Sequence, residues 1–178
     1  MLRTPTRFIL AAVVASTSML SSCDLPIDFW VDKTTNVNIP TGDMTTVTQA
    51  PQTVNLNDYP AVAGQAKLIK SVQIPEVWIE VTSIDPTNTA TQVSGTLSIT
   101  DPTDSTFAPV MLTYTNIPIV AGGRLDLTPQ ASDVTRLQTL LQTKGSCSIT
   151  YSASIDQLPA VFSLQGELHL IATVSVGS

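Results

Sequence analysis

Two cysteines, one histidine and only eight lysines and arginines stand in this chain of 178 residues. Each scarcity excludes something. Two cysteines cannot build a disulfide framework or a cysteine-rich zinc site. With 14 acids against eight bases and a formal charge of −6, the chain is a poor nucleic-acid ligand, because phosphates demand Lys and Arg. Charged residues make up only 12% of the chain while 43% is hydrophobic, so it is not a disordered acidic tail. Glycine is too sparse for a phosphate loop: Gly122-Gly123 reads as a turn. A Ser–His–Asp triad would have to use His169, yet no Gly-x-Ser-x-Gly elbow exists. The sequence implies neither cofactor nor metal.

One apolar run is too short to span a bilayer. Phe8 to Leu20 follows Arg3 and Arg7, and a spanning helix takes about 20 residues. The run ends in Leu20-Ser21-Ser22-Cys23, which resembles the lipobox of bacterial lipoproteins. The resemblance covers the signal segment alone; the mature domain resembles no named family. It implies that residues 1–22 are removed and that Cys23 becomes the first residue, lipidated on sulfur and amino group. The protein would then sit in the bacterial cell envelope, its multiple acyl chains supplying the two signals stable anchoring needs. Asp24 acts in enteric members of that class as an inner-membrane retention signal, a rule that varies between bacterial groups, so the choice of membrane stays open. The competing reading is an ordinary secretory signal with an incidental cysteine, for which Ala15-Ser16-Thr17 and Ser18 are poor cleavage-site substitutes. Cleavage before Cys23 leaves 156 residues and, with two bases gone, a charge of −8.

Thr and Ser are abundant, 26 and 17, and Asp-Pro turns recur. Apolar residues alternate with polar ones at Ile27–Val31, Val93–Ile99, Val110–Tyr114, Cys147–Ile155 and Leu164–Val176. That pattern predicts antiparallel sheets with one solvated face. Two helices are expected. One opens at Thr128-Pro129, carries Val134, Leu137, Leu140 and Leu141 at helical spacing, and stops at Gly145. The other would run from Asn57 toward Lys70, with Val62, Ala66 and Ile69 on one stripe and Gly64 against it. The expected fold is a single mainly β domain over 23–178, an antiparallel β-sandwich with two helices. The alternative is a two-layer α+β fold of two β-α-β-β units. Residues before 40 are expected to serve partly as a tether.

Segments 52–100 and 123–171 also read as an internal duplication at an offset of 71. Leu56 maps to Leu127, Ser83-Ile84-Asp85 to Ser154-Ile155-Asp156, Gly95 to Gly166 and Leu97 to Leu168. Val77, Ile79 and Val81 fall on Ser148, Thr150 and Ser152, the opposite face, which a one-residue bulge would repair. Ile74-Pro75 marks a separate phase break.

The candidate ligand-binding residues are two tryptophans framed by acids. Trp30 lies between Asp28 and Asp32, and Trp78 between Glu76 and Glu80. Alternation puts each tryptophan and its carboxylates on one strand face, a pattern suited to a sugar ring or a cation. The competing expectation is that a helix or another strand pair covers each tryptophan. Cys147 is expected in the core and His169 facing solvent on the last strand. Asp101 and Asp104 are expected to be turn aspartates, with calcium the competing role. The leading functional expectation is a membrane-anchored, non-enzymatic binding or scaffolding module with an envelope protein or glycan partner. The alternatives are a carrier of sugar, peptide or lipid, or a glycan-acting hydrolase using the acidic pairs.

Overall fold

The computed structural model describes residues 23–42 and 45–176; the proposed signal peptide at 1–22 lies outside them. These residues form nine strands: β1 (Cys23–Ile39), β2 (Thr46–Thr48), β3 (Gln52–Asn55), β4 (Ile69–Ile84), β5 (Gln92–Thr100), β6 (Val110–Pro118), β7 (Gly123–Asp126), β8 (Ser146–Ile155) and β9 (Ala160–Val176), the alternating runs falling in β1, β5, β6, β8 and β9. One sheet has the order β1-β9-β4-β7. The other has β2-β8-β5-β6, with β3 also paired to β8. Every pairing is antiparallel. Buried residues of both sheets, including Val31, Ile79, Leu168, Leu97, Ile149 and Tyr114, form one hydrophobic cluster.

Cys147, Ile149, Tyr151, Ala153 and Ile155 are all buried while the intervening positions carry Ser and Thr, as the period of two requires. The first helix forms as α1 (Ala131–Lys144), buries Leu137, Leu140 and Leu141, and ends at Gly145 in the left-handed conformation with φ 65°. It starts three residues later than Thr128, after Gln130 in the cap position. Leu127 is still hydrogen-bonded to Val77 as an extension of the sheet, which delays helical geometry. Val134 and Leu137 face Ile74 and Val77 of one sheet and Val110 and Leu112 of the other, so α1 closes the seam between them.

The second expected helix does not form. Residues 56–68 hold two short 3-10 turns, Leu56–Asp58 and Ala66–Leu68, with Gly64 between them at φ 77°, and β4 begins at Ile69. That left-handed residue breaks the i to i+4 ladder, while Val62 still reaches the core. The cap is Asn55, whose side chain accepts from the Asn57 N–H; Asn57 itself does not cap. Among the described residues α1 is the one α-helix, and the fold is mainly β with antiparallel sheets. The tether expectation also fails: β1 pairs residue for residue with β9 from Cys23 to Ile39.

Strand exchange between the halves is reciprocal. β1, β3, β4 and β5 of the first half correspond in order and pairing to β6, β7, β8 and β9 of the second: β4 pairs with β7 and β9, and β8 with β3 and β5. A register shift falls between Val81 and Ser83, leaving Thr82 as an extra residue. Before it, an offset of 70 places Val77, Ile79 and Val81 on Cys147, Ile149 and Tyr151, all buried. A second shift between Gln73 and Glu76 accounts for the phase break at Ile74-Pro75.

Gly166 is required by a side chain from the facing sheet. The Tyr151 hydroxyl donates to the Lys33 carbonyl at 2.7 Å and accepts the Gly166 N–H at 3.1 Å. Lys33 and Gly166 are cross-strand partners, so the hydroxyl bridges the two members of one pair. A Cβ at Gly166 would lie 2.6 Å from that oxygen.

Candidate functional site

The outward face of the β1-β9-β4-β7 sheet brings both tryptophans together. Trp30 on β1 is the register partner of His169 on β9, and Trp78 on β4 is the partner of Glu167 on β9. The indoles lean over β9 and meet at 4.4 Å between centroids. His169 stacks against Trp30 at 4.2 Å and 19°, and its Nε2 lies 2.7 Å from Asp28 Oδ1. Arg124 of β7 sits 3.7 Å over Trp78 and is held by Asp126 at 2.7 Å. Each aromatic contact contributes about 0.5–1.5 kcal/mol beyond area burial, and an exposed cation–π contact about 0.5–1 kcal/mol.

Burial separates the two tryptophans. Trp78 is 7% exposed and its Nε1 has no hydrogen-bond partner, while Trp30 remains 40% exposed. Trp78 is covered by Trp30 and Arg124, not by a helix or a second strand pair. The expectation for His169 is corrected: it is a packed member of the cluster, its side chain 17% exposed. Alternation along β9 marked His169 and Glu167 as sharing a face, but only the pairing with β1 and β4 shows that this face is the tryptophan face. Arg124 carried no such signal, because β7 is four residues long.

Carboxylates surround the pad. Asp28 pairs with His169, and Glu76 is the register partner of His169 on the opposite side. Glu80 faces Gln165 and Arg124 across the sheet, and Asp32 faces Glu167. Burial, then the negative charges of Glu80 and Asp32, push the Glu167 carboxyl above its usual range against opposing help from Gln165 and Arg124. The face therefore combines an exposed indole, a rigid aromatic base and unneutralised acids. It can stack a flat ring or hold a cation. Farther along the same strands, Ser83 donates to Ser163 at 2.8 Å and Ser163 to Asn36 at 2.8 Å, lining a surface groove of about 350 Å³.

Cys147 is buried as expected, and burial pushes its thiol up to about 12. Asp101 Oδ1 takes hydrogen bonds from the Thr103 N–H and hydroxyl, and Asp104 does the same with Thr106. These bonds hold both carboxyls below the usual range. Among the described residues no three His, Cys, Asp or Glu side chains converge as metal ligands, and no helix is long and apolar enough to cross a membrane. Cys23 begins β1.

No protein-family model and no curated protein matches the chain. Solved structures with a similar course include a chain of Desmodium yellow mottle tymovirus, 8% identical over 99% of this chain and 98% of that one, TM-score 0.43. A chain of Mud crab tombus-like virus is 10% identical over 100% and 94%, TM-score 0.42. One of Cocksfoot mottle virus is 15% identical over 99% and 96%, TM-score 0.32. At these scores the likeness carries no argument about function.

Proposed function

We propose that the mature chain is a lipid-anchored protein of the bacterial cell envelope, acting as a non-enzymatic binding or scaffolding module. Its domain is an eight-position jelly-roll sandwich of two Greek keys, with β2 and β3 sharing one position, built by duplication of a four-strand unit. Anchoring rests on the Leu20-Ser21-Ser22-Cys23 motif. The binding role rests on one observation: Trp30 is exposed on a sheet face, stacked on His169 and packed against Trp78, which Arg124 covers in turn. A tethered module meets other anchored or embedded partners at raised effective concentration.

A surface site fits better than an interior one. The apolar gap beneath α1, among Ile74, Val77, Val110, Leu112 and Leu137, is too narrow for a water molecule, which leaves a small-ligand carrier no room there. An envelope glycan is the second reading for the partner, favoured by the polar row of Asn36, Ser163 and Ser83 farther along the same sheet face. Fractionation tests the anchor: Cys23→Ser should move the protein from the membrane to the soluble fraction, and unchanged partition would overturn it. Titration with soluble envelope-glycan fragments, followed by tryptophan emission, tests the glycan reading. A saturable change lost in Trp30→Ala supports it, and no change in the wild type rejects it.

A further inference from the structure

β1 leaves no slack between a lipid on Cys23 and the folded domain. Cys23 is the register partner of Val176, Leu25 of Val174, and Val174 in turn of Ile69. An acylated Cys23 would thus be the first residue of a paired strand. Leu25, two residues on, would lie about 7 Å along the strand from the acyl chains, at ~3.3 Å per residue. A residue that close to the acylated cysteine is kept at the headgroup layer, into which interfacial apolar side chains bed by ~5–10 Å.

The residues at this end suit that layer. Leu25 lies on the core-facing side of β1, in one row with buried Val174 and Ile69, yet is 50% exposed, so the apolar interior runs out of the sheet end there. Leu68, just before Ile69, is 49% exposed. Lys67 and Lys70 flank it, and Lys70 pairs with Asp24 at 2.6 Å. Lysine stems can lie along apolar surface while the ammonium groups stay among phosphates. Leu25 and the lysine-flanked Leu68, both exposed at the anchored end, form a lip that a headgroup layer would cover.

We propose that the Leu25–Leu68 end is a membrane-docking surface: it beds into the lipid interface, and β1 rises from the bilayer in a fixed orientation. The inference rests on the lipid-anchor reading. It places Trp30, seven residues from Cys23, about 23 Å above the anchored residue at ~3.3 Å per residue. The binding face then looks sideways along the membrane instead of tumbling on a flexible tether.

The test uses full-length protein made in a lipoprotein-processing bacterium and reconstituted in phosphatidylethanolamine/phosphatidylglycerol vesicles. In a Cys147→Ala background, Leu68→Cys carries an environment-sensitive fluorophore. Val120→Cys serves as the opposite end, since Gly122 bonds to Val81, twelve residues of β4 beyond Ile69. Nitroxide-bearing lipids should remove about half or more of the emission at 68, the behaviour of a residue ~5–10 Å deep, and leave 120 nearly untouched. Equal quenching at both positions, or none at 68, overturns the docking surface. The intact mass of the same sample reads acylation separately. Acylated protein without quenching at 68 refutes the orientation alone, whereas unmodified Cys23 refutes the lipoprotein reading and the docking surface with it.

Discussion

Replacing Tyr151 by Phe removes one oxygen from the middle of the fold. That oxygen bridges the Lys33 carbonyl and the Gly166 N–H, and Tyr151 is 1% exposed. Each of the two neutral hydrogen bonds is worth about 1 kcal/mol, or about 2 kcal/mol where its loss leaves a buried partner unpaired. The expected loss is about 2–4 kcal/mol. At about 2.1 cal/mol/K per residue, a domain of 156 residues loses about 3 °C of Tm per kcal/mol, so Tm should fall by about 6–12 °C. Tyr114→Phe is the internal comparison: its hydroxyl makes one bond, to the Ser152 carbonyl at 2.8 Å, and should cost about 1 kcal/mol. Gly166→Ala should cost about as much as Tyr151→Phe, because the new Cβ would press on a hydroxyl fixed from both sides. Without that oxygen the nearest ring atoms lie 3.4 and 3.5 Å from the Cβ, close to ordinary contact. The double variant should therefore be no less stable than Tyr151→Phe alone, a coupling of about 2 kcal/mol in urea melts. Additive losses, or a Tyr151→Phe loss below about 0.5 kcal/mol, would show that β1 and β9 close the pair without the bridge.

Three further outcomes follow from the site and the core. Cys147, its thiol pushed up to about 12 by burial, should resist alkylation at pH 8 in the native protein and react in denaturant. The stability it contributes is complete below the ordinary thiol range of about 8.5 and lost as pH rises toward its folded value. Cys147→Ala should flatten the alkaline fall of the urea midpoint. Glu167, raised by burial and by Glu80 and Asp32, contributes stability that is complete below the ordinary carboxylate range and lost as pH climbs through its folded value. Glu167→Gln should therefore raise Tm at pH 7 and shrink the gain on mild acidification; a lower Tm would contradict the crowding of these acids. Trp30→Ala should cost about 1 kcal/mol and make the remaining Trp78 more accessible to acrylamide, whereas unchanged quenching would mean that Trp30 does not cover it.

Much of the local structure was legible because the pleat has a period of two. The run from Leu164 to Val174 alternates as expected, with Leu164, Leu168, Leu170, Ala172 and Val174 buried. Gly145 ends α1 in the conformation glycine favours. A register shift between Val81 and Ser83 leaves Thr82 as an extra residue on β4, at the kind of phase change that alternation alone can flag. Residues 57–70 misled because a helical stripe and a 3-10 connection bury the same residue, Val62, and Gly64 decides between them.

By itself the sequence determined which face of the longer strands β1, β5, β6, β8 and β9 is apolar, where the α-helix stops, and that Cys23 stands in a lipobox-like context. These follow from nearest neighbours along the chain. Pairing was decided by tertiary structure alone. Nothing local to Trp30 or Trp78 says that β9 runs between them, that His169 stacks on one, or that Arg124 caps the other. Partners 141 residues apart, such as Asp28 and His169, meet through the order of strands in a sheet. That order is selected by burying every apolar face at once, a condition on the whole chain and on no single segment of it.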